Sequence, residues 1–262
     1  MKSRFVTFQD NLRESDAKKY FMEFGKAFTT EETRHSFKIY NDQLSWLLAD
    51  GRMWGKYLGL MNMVKKEVRE RFDEKQYPFK DQRDLFAYNP VHFPEMQGIL
   101  DNVREIDLSA AYVTTANMLG LISNELYDKL KKCPKQFRLK ILGILGMTKI
   151  KRSFDQDGNQ IGDTEKIFDA VLKSAWSLIV NYTNDSMRVT VKELDERFIF
   201  YWFDNMFFVG KFDGHELLKR GYSFKQNETA MAYQKTPQVL STILRDKRLF
   251  SFQIGSVVTF PH

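Results

Sequence analysis

Phe198-Ile199-Phe200-Tyr201-Trp202-Phe203-Asp204-Asn205-Met206-Phe207-Phe208-Val209 is a run of twelve residues carrying one charge. Two aromatic segments flank an Asp-Asn pair, and a carboxylate is costly to bury among such residues unless something compensates it. Asp and Asn tolerate the positive φ of a tight turn, so the stretch predicts a hairpin over 197–211 with Asp204-Asn205 at its tip. A second stretch, Arg104-Glu105-Ile106-Asp107-Leu108-Ser109-Ala110-Ala111-Tyr112, reads as an apolar strand end running into a helix. Taken singly, Asp204 is a turn residue and Asp107 a helix cap. Taken together, the two carboxylates could converge on a divalent metal, as phosphoryl transfer requires.

Around these stretches the hydrophobic spacing predicts alternating helices and strands. Before the first aspartate it gives a strand at Arg4–Phe8, a helix over Asn11–Phe28 and a second helix over Thr33–Asp50. That second helix places Phe37, Tyr40, Leu44, Leu47 and Leu48 at helical period, and Thr29 with Glu32 has the spacing of its capping box. A third helix covers Trp54–Phe72, and a proline-bearing connector fills 73–98. Gly98–Ile106 leads into Asp107. Helices then follow over Ser109–Leu121, from Ser123 to near Pro134, and over Gln136–Lys151.

A polar hairpin spans Asp155–Asp163 around Asp157-Gly158-Asn159, and an apolar helix runs over Ile167–Tyr182. Arg188–Leu194 extends that helix or forms a strand. Beyond the aromatic hairpin come a helix at Gly214–Leu218, strands at Tyr222–Lys225 and Ala230–Tyr233, and a helix over Pro237–Leu244. A basic turn then enters a strand at Arg245–Phe252. Without regular βαβ spacing, this pattern predicts an α+β fold with an antiparallel sheet. The expected division is a mainly helical region at 1–98 and a second domain at 99–262.

The 262 residues carry a net charge of +6 and are 15% aromatic, with 23 Phe. That excludes a disordered chain and suits a polyanionic partner. No apolar run approaches the ~20 residues of a membrane span, and the first residues do not resemble a secretory signal. The single Cys133 cannot form an internal disulfide, and the four histidines lack ligand spacing, so a reducing interior and no zinc site are expected.

Asp107-Leu108-Ser109-Ala110-Ala111-Tyr112-Val113-Thr114 resembles the first palm motif of family B DNA polymerases, commonly D-x-x-S-L-Y-P-S. Tyr201 to Val209 resembles a one-residue-shortened form of their third palm motif, Y-G-D-T-D-S-I-F-V. The resemblance implies an antiparallel palm with short finger helices, in which Asp107 and Asp204 bind Mg²⁺ or Mn²⁺. It implies that Tyr112 packs under the sugar of the incoming nucleotide and excludes a 2′-hydroxyl. Between the aspartates, Arg138-Leu139-Lys140-Ile141-Leu142-Gly143-Ile144-Leu145-Gly146 falls where the family has K-x-x-x-N-S-x-Y-G. Arg138 takes the triphosphate-gripping position, beside Lys140, and Gly143 and Gly146 the small ones. Asp246-Lys247-Arg248-Leu249-Phe250 lies where the family has a basic-aromatic motif that holds the primer.

The departures from the family are specific. One aspartate stands where the third motif usually has two, with Phe203 near the missing one. Asn205 replaces serine, Val113 proline, Leu142 asparagine and Leu145 tyrosine. Glu105, Asp195 and Glu196 are the candidates to supply the missing carboxylate. The implied activity is template-dependent DNA nucleotidyl transfer by a reduced palm of the type found in phages and mobile elements. Its partners would be primer–template DNA, a deoxynucleoside triphosphate, and phage replication or virion proteins, in a bacterial cytoplasm or a virion. Lys149, Lys151, Arg152, Lys247 and Arg248 are the expected nucleic-acid contacts. The alternative is a catalytically degenerate nucleic-acid-binding or structural phage protein that retains the palm.

Overall fold

The computed structural model describes residues 14–259 except 24, 34–35, 43, 50, 74–85 and 255–257. The strand expected at Arg4–Phe8 and most of the connector at 73–98 lie outside the described residues. Along the chain the elements run α1 (Glu14–Glu23), β1 (Phe28–Thr33), β2 (Ser36–Tyr40), β3 (Ser45–Ala49), α2 (Gly51–Arg71), β4 (Phe86–Tyr88) and β5 (Gln97–Leu108). They continue with α3 (Ala111–Met118), α4 (Asn124–Lys131), α5 (Lys135–Gly143), β6 (Lys149–Phe154), β7 (Gln160–Ile167) and α6 (Ala170–Leu194). The hairpin β8 (Phe198–Trp202) and β9 (Asn205–Val209) follows. Then come α7 (His215–Lys219), β10 (Phe224–Lys235), β11 (Val239–Leu244), β12 (Leu249–Gln253) and β13 (Val258–Thr259). The fold is mixed α+β with antiparallel sheets, as the element pattern predicts. No helix among the described residues is long and apolar enough to cross a membrane.

The chain forms two compact units, each discontinuous in sequence: Met1–Gln76 with Lys132–Trp176, and Tyr77–Lys131 with Ser177–His262. The first holds a five-stranded sheet in the order β3-β2-β1-β6-β7. Phe37 and Ile39 alternate onto one face of β2 and are buried with Phe21, Phe28 and Trp46.

Two expected helices are therefore corrected here. The stretch predicted as a helix over Thr33–Asp50 is the strands β2 and β3, with Thr29 and Glu32 inside β1 rather than at a helix start. A period of two wins because the sheet offers an apolar partner for alternate residues only. The helix predicted over Gln136–Lys151 stops at Gly143. Lys149, Lys151 and Arg152 are strand residues of β6, pointing alternately to the two faces of the sheet. The polar hairpin at 155–163 is present. Asp155 Oδ1 accepts from the backbone N–H groups of Asp157 and Asn159 and so closes its turn.

The second unit is built on an eight-stranded sheet in the order β12-β11-β10-β5-β9-β8-β4-β13. On one face, Ile106, Leu108, Tyr201, Met206 and Phe208 pack with Met187, Val191 and Leu194 of α6 and Leu217 of α7. On the other, Val103, Phe200 and Phe207 meet Tyr233, Leu240, Phe250 and Phe252, because the sheet curls into a half-barrel. The β8–β9 hairpin is thus covered on both sides, which explains its unbroken aromatic sequence. Each fully buried Phe there contributes about 1.5–3 kcal/mol. The stretch predicted as a helix over Pro237–Leu244 is strand β11. Its Val-Leu-Ser-Thr-Ile-Leu sequence buries Leu240, Thr242 and Leu244 in alternation. The two short strands expected at 222–233 are one long strand, β10.

Candidate functional site

Asp107 lies one residue before the end of β5, in register with Asn205 of β9 on one side and Lys225 of β10 on the other. The Leu108 N–H donates to the Asp204 carbonyl at 3.2 Å, and the Ser109 N–H to the Ser223 carbonyl at 2.7 Å. The end of β5 is therefore stitched to both neighbours, and the hairpin tip is fixed beside Asp107. The two aspartates sit on adjacent antiparallel segments.

Asp204 occupies a turn, as its sequence context predicts, but the turn is shifted by one residue. Trp202 pairs with Asn205, so Phe203-Asp204 forms the tip and Asn205 belongs to β9. Phe203 takes φ 56°. For a bulky side chain this is a backbone outlier, costing on the order of 1–3 kcal/mol. Across the site Ala110 is also left-handed, at φ 54°, immediately before α3. Asp107 does not cap that helix: Ala110 is the N-cap residue, with no side-chain hydrogen bond. Phe203 and Ala110 are two of the five non-glycine residues at positive φ among the described residues, with Asn102, Asp195 and Lys247.

Tyr112 opens α3. Burial pushes its phenol well above the usual range, and the Asp204 carboxylate adds to the shift. The two side chains thus share one electrostatic neighbourhood, in which Tyr112 stays a neutral hydroxyl.

The candidates for a third carboxylate are accounted for elsewhere. Glu105 lies two residues before Asp107 on the same face of β5 and is 3% exposed. Its carboxylate accepts a two-pronged bond from Arg248, at 2.6 and 2.7 Å, and Arg248 Nε also donates to Asp246 at 2.7 Å. Arg248 is thereby held fully charged, first by the hydrogen bond to Glu105. Asp195 and Glu196 form a 3-10 turn before β8, at the end of that strand away from the tip and about 17 Å along it.

Among the described residues no group of three or more His, Cys, Asp or Glu side chains comes together. Mg²⁺ needs no such group, since it is commonly held by one or two carboxylates with substrate phosphates completing its shell.

The remaining expected contacts are placed as follows. Lys149 Nζ bonds Glu31 at 3.1 Å, Lys151 Nζ bonds Glu165 at 2.9 Å, and Arg152 bonds Glu32 at 2.8 Å. Each of these cations is paired with a glutamate on a strand beside β6, directly across for Lys151–Glu165 and diagonally for the other two. Arg138 Nη1 donates to the Cys133 carbonyl at 2.7 Å, tying α5 to the segment before it. Lys140 lies on α5, and Gly143, with open space where a Cβ would stand, ends it. Gly146, the other small position, packs against Trp176. These residues belong to the first unit, whereas Asp107, Tyr112, Asp204, Lys247 and Arg248 belong to the second. Lys247 is exposed at the β11–β12 turn with φ 67°.

Sequence reasoning missed Lys225 and the Glu105–Arg248 fork. Both depend on which strands pair and in what register, for which the local sequence has no signal.

No protein-family model matches this chain, and no curated protein is similar to it.

Proposed function

We propose that the second unit is a reduced nucleotidyltransferase palm acting on DNA. The observation that carries this reading is the pairing of Asp107 with the hairpin tip. Two aspartates far apart in sequence are brought together by the backbone of a helix-backed antiparallel sheet, Asp107 in register with Asn205 and Leu108 bonded to the Asp204 carbonyl, with Phe203 beside Asp204 at a positive φ. Asp107 and Asp204 would hold Mg²⁺, which when bound activates a 3′-hydroxyl and neutralises charge on the leaving pyrophosphate. Tyr112, kept neutral by burial and the Asp204 charge, would serve as the floor beneath the sugar and act by shape. Arg248 would support the strand carrying Asp107 through Glu105.

A second reading, a palm that binds nucleic acid and has lost efficient chemistry, is favoured by one observation. The fork to Arg248 occupies Glu105, the carboxylate nearest Asp107 in sequence on that face.

Primer extension separates the two. With a primer–template, deoxynucleotides and Mg²⁺ or Mn²⁺, the wild type is expected to extend the primer. Asp107→Asn and Asp204→Asn should each reduce extension by at least a hundredfold while remaining folded. Absence of extension by the wild type, with DNA binding intact, selects the second reading.

A further inference from the structure

Four consecutive strand pairings align one row of side chains on the face that carries Asp107: Phe86, Trp202, Asn205, Asp107 and Lys225. The row crosses β4, β8, β9, β5 and β10 at about 4.8 Å per strand. None of these five residues is buried, and Lys225 is exposed. At one end Phe86 and Trp202 lie with ring centroids 4.6 Å apart, and Phe203 approaches them at 5.5 and 6.1 Å, edge-on to both. Phe203 is 36% exposed although it stands at a positive φ that glycine or asparagine would adopt without strain. Stability alone does not favour an exposed phenyl ring in that conformation. An aromatic ring held at the tip beside two carboxylates, with an ammonium two strands beyond Asn205, complements a nucleotide: π-faces for the base and a cation for the phosphate.

We infer that Phe203, with Phe86 and Trp202, is a stacking platform for an unpaired nucleobase of single-stranded nucleic acid, with Lys225 on its backbone phosphate. The inference rests on reading this face as a nucleic-acid site, but not on catalysis there.

The test is fluorescence anisotropy with a short labelled oligothymidylate and a matching oligomer of abasic units, both single-stranded. The variant is Phe203→Gly, which removes the ring and also relieves the strained φ, so its melting temperature should not fall. The wild type is expected to bind the base-bearing oligomer about 5- to 150-fold more tightly than the abasic one, the range for one base stacked on one aromatic ring. Phe203→Gly should lose most of that preference. Lys225→Gln should weaken both oligomers alike and lower the slope of affinity against salt by about one ion. A folded Phe203→Gly that keeps the full preference overturns the inference, as does a wild type that binds both oligomers equally. If the preference is present but primer extension is absent, the platform stands and the catalytic reading falls. If primers are extended but Phe203→Gly binds like wild type, the platform falls alone.

Discussion

Glu105 and Asp107 share one face of β5, yet the fold gives them opposite fates. The Glu105 carboxylate is buried and forked to Arg248, whereas Asp107 stands partly open at the strand end. Removing Arg248 leaves the Glu105 carboxylate buried, but the Arg248 side chain is 42% exposed and water can enter behind it, so Arg248→Ala is expected to cost about 1–2 kcal/mol. The double variant Glu105→Leu with Arg248→Met should recover most of that loss, because apolar replacement of a buried pair is often close to neutral. Urea titration of the wild type and both variants measures the difference. A single variant as stable as wild type would show that the fork holds nothing together. Asp204 was legible at this scale because it is a lone charge in an aromatic run, and Asp107 because it stands between Ile106 and Leu108 at a strand end. The fork was not, since Arg248 lies 143 positions from Glu105 and is brought to it only by strand pairing.

At the scale of elements, α3 shows how the site is held. Thr115 on this helix bonds the Tyr222 hydroxyl at 2.6 Å and the Thr183 hydroxyl of α6 at 2.8 Å, all buried. Tyr112 lies one turn earlier on the same helix. Burial raises the phenols of both Tyr112 and Tyr222, outweighing the hydroxyl bonds that favour ionised Tyr222. A phenol whose pKa is raised on folding stabilises the protein fully below its unfolded value of about 10, and that stability is lost as pH rises through the folded value. Melting temperature should therefore decline above about pH 10, and Tyr112→Phe should decline less steeply than wild type. Parallel alkaline profiles for the two proteins would show that Tyr112 is not buried in this way.

Elements themselves were unevenly legible. The aromatic hairpin and α2 read correctly from their sequences. The stretch from Phe37 to Leu48 did not, because its apolar residues satisfy helical spacing and strand alternation equally. The Asn41-Asp42 pair between Tyr40 and Leu44 was the overlooked sign of a turn: Asn41 Oδ1 accepts from the Leu44 N–H at 2.8 Å.

Across the molecule, the net charge of +6 is a poor guide to where a polyanion would lie. Lys149, Lys151 and Arg152 are ion-paired with Glu31, Glu165 and Glu32 inside the first unit, so this basic stretch is locally neutralised. In the second unit the charges that matter are few and are set by register: Asp107, Asp204 and Lys225 around one sheet end. Asp107 and Asp204 are proposed to form one cation site. Electron paramagnetic resonance of Mn²⁺ reads such a site, titrating the ion into protein with a chain-terminated primer–template and the next deoxynucleotide. The wild type should bind Mn²⁺, and Asp107→Asn, Asp204→Asn and the double variant should all lose that binding to a similar extent, because each removes a ligand of the same ion. Mn²⁺ binding that persists undiminished in the folded double variant would show that the two aspartates hold no shared ion.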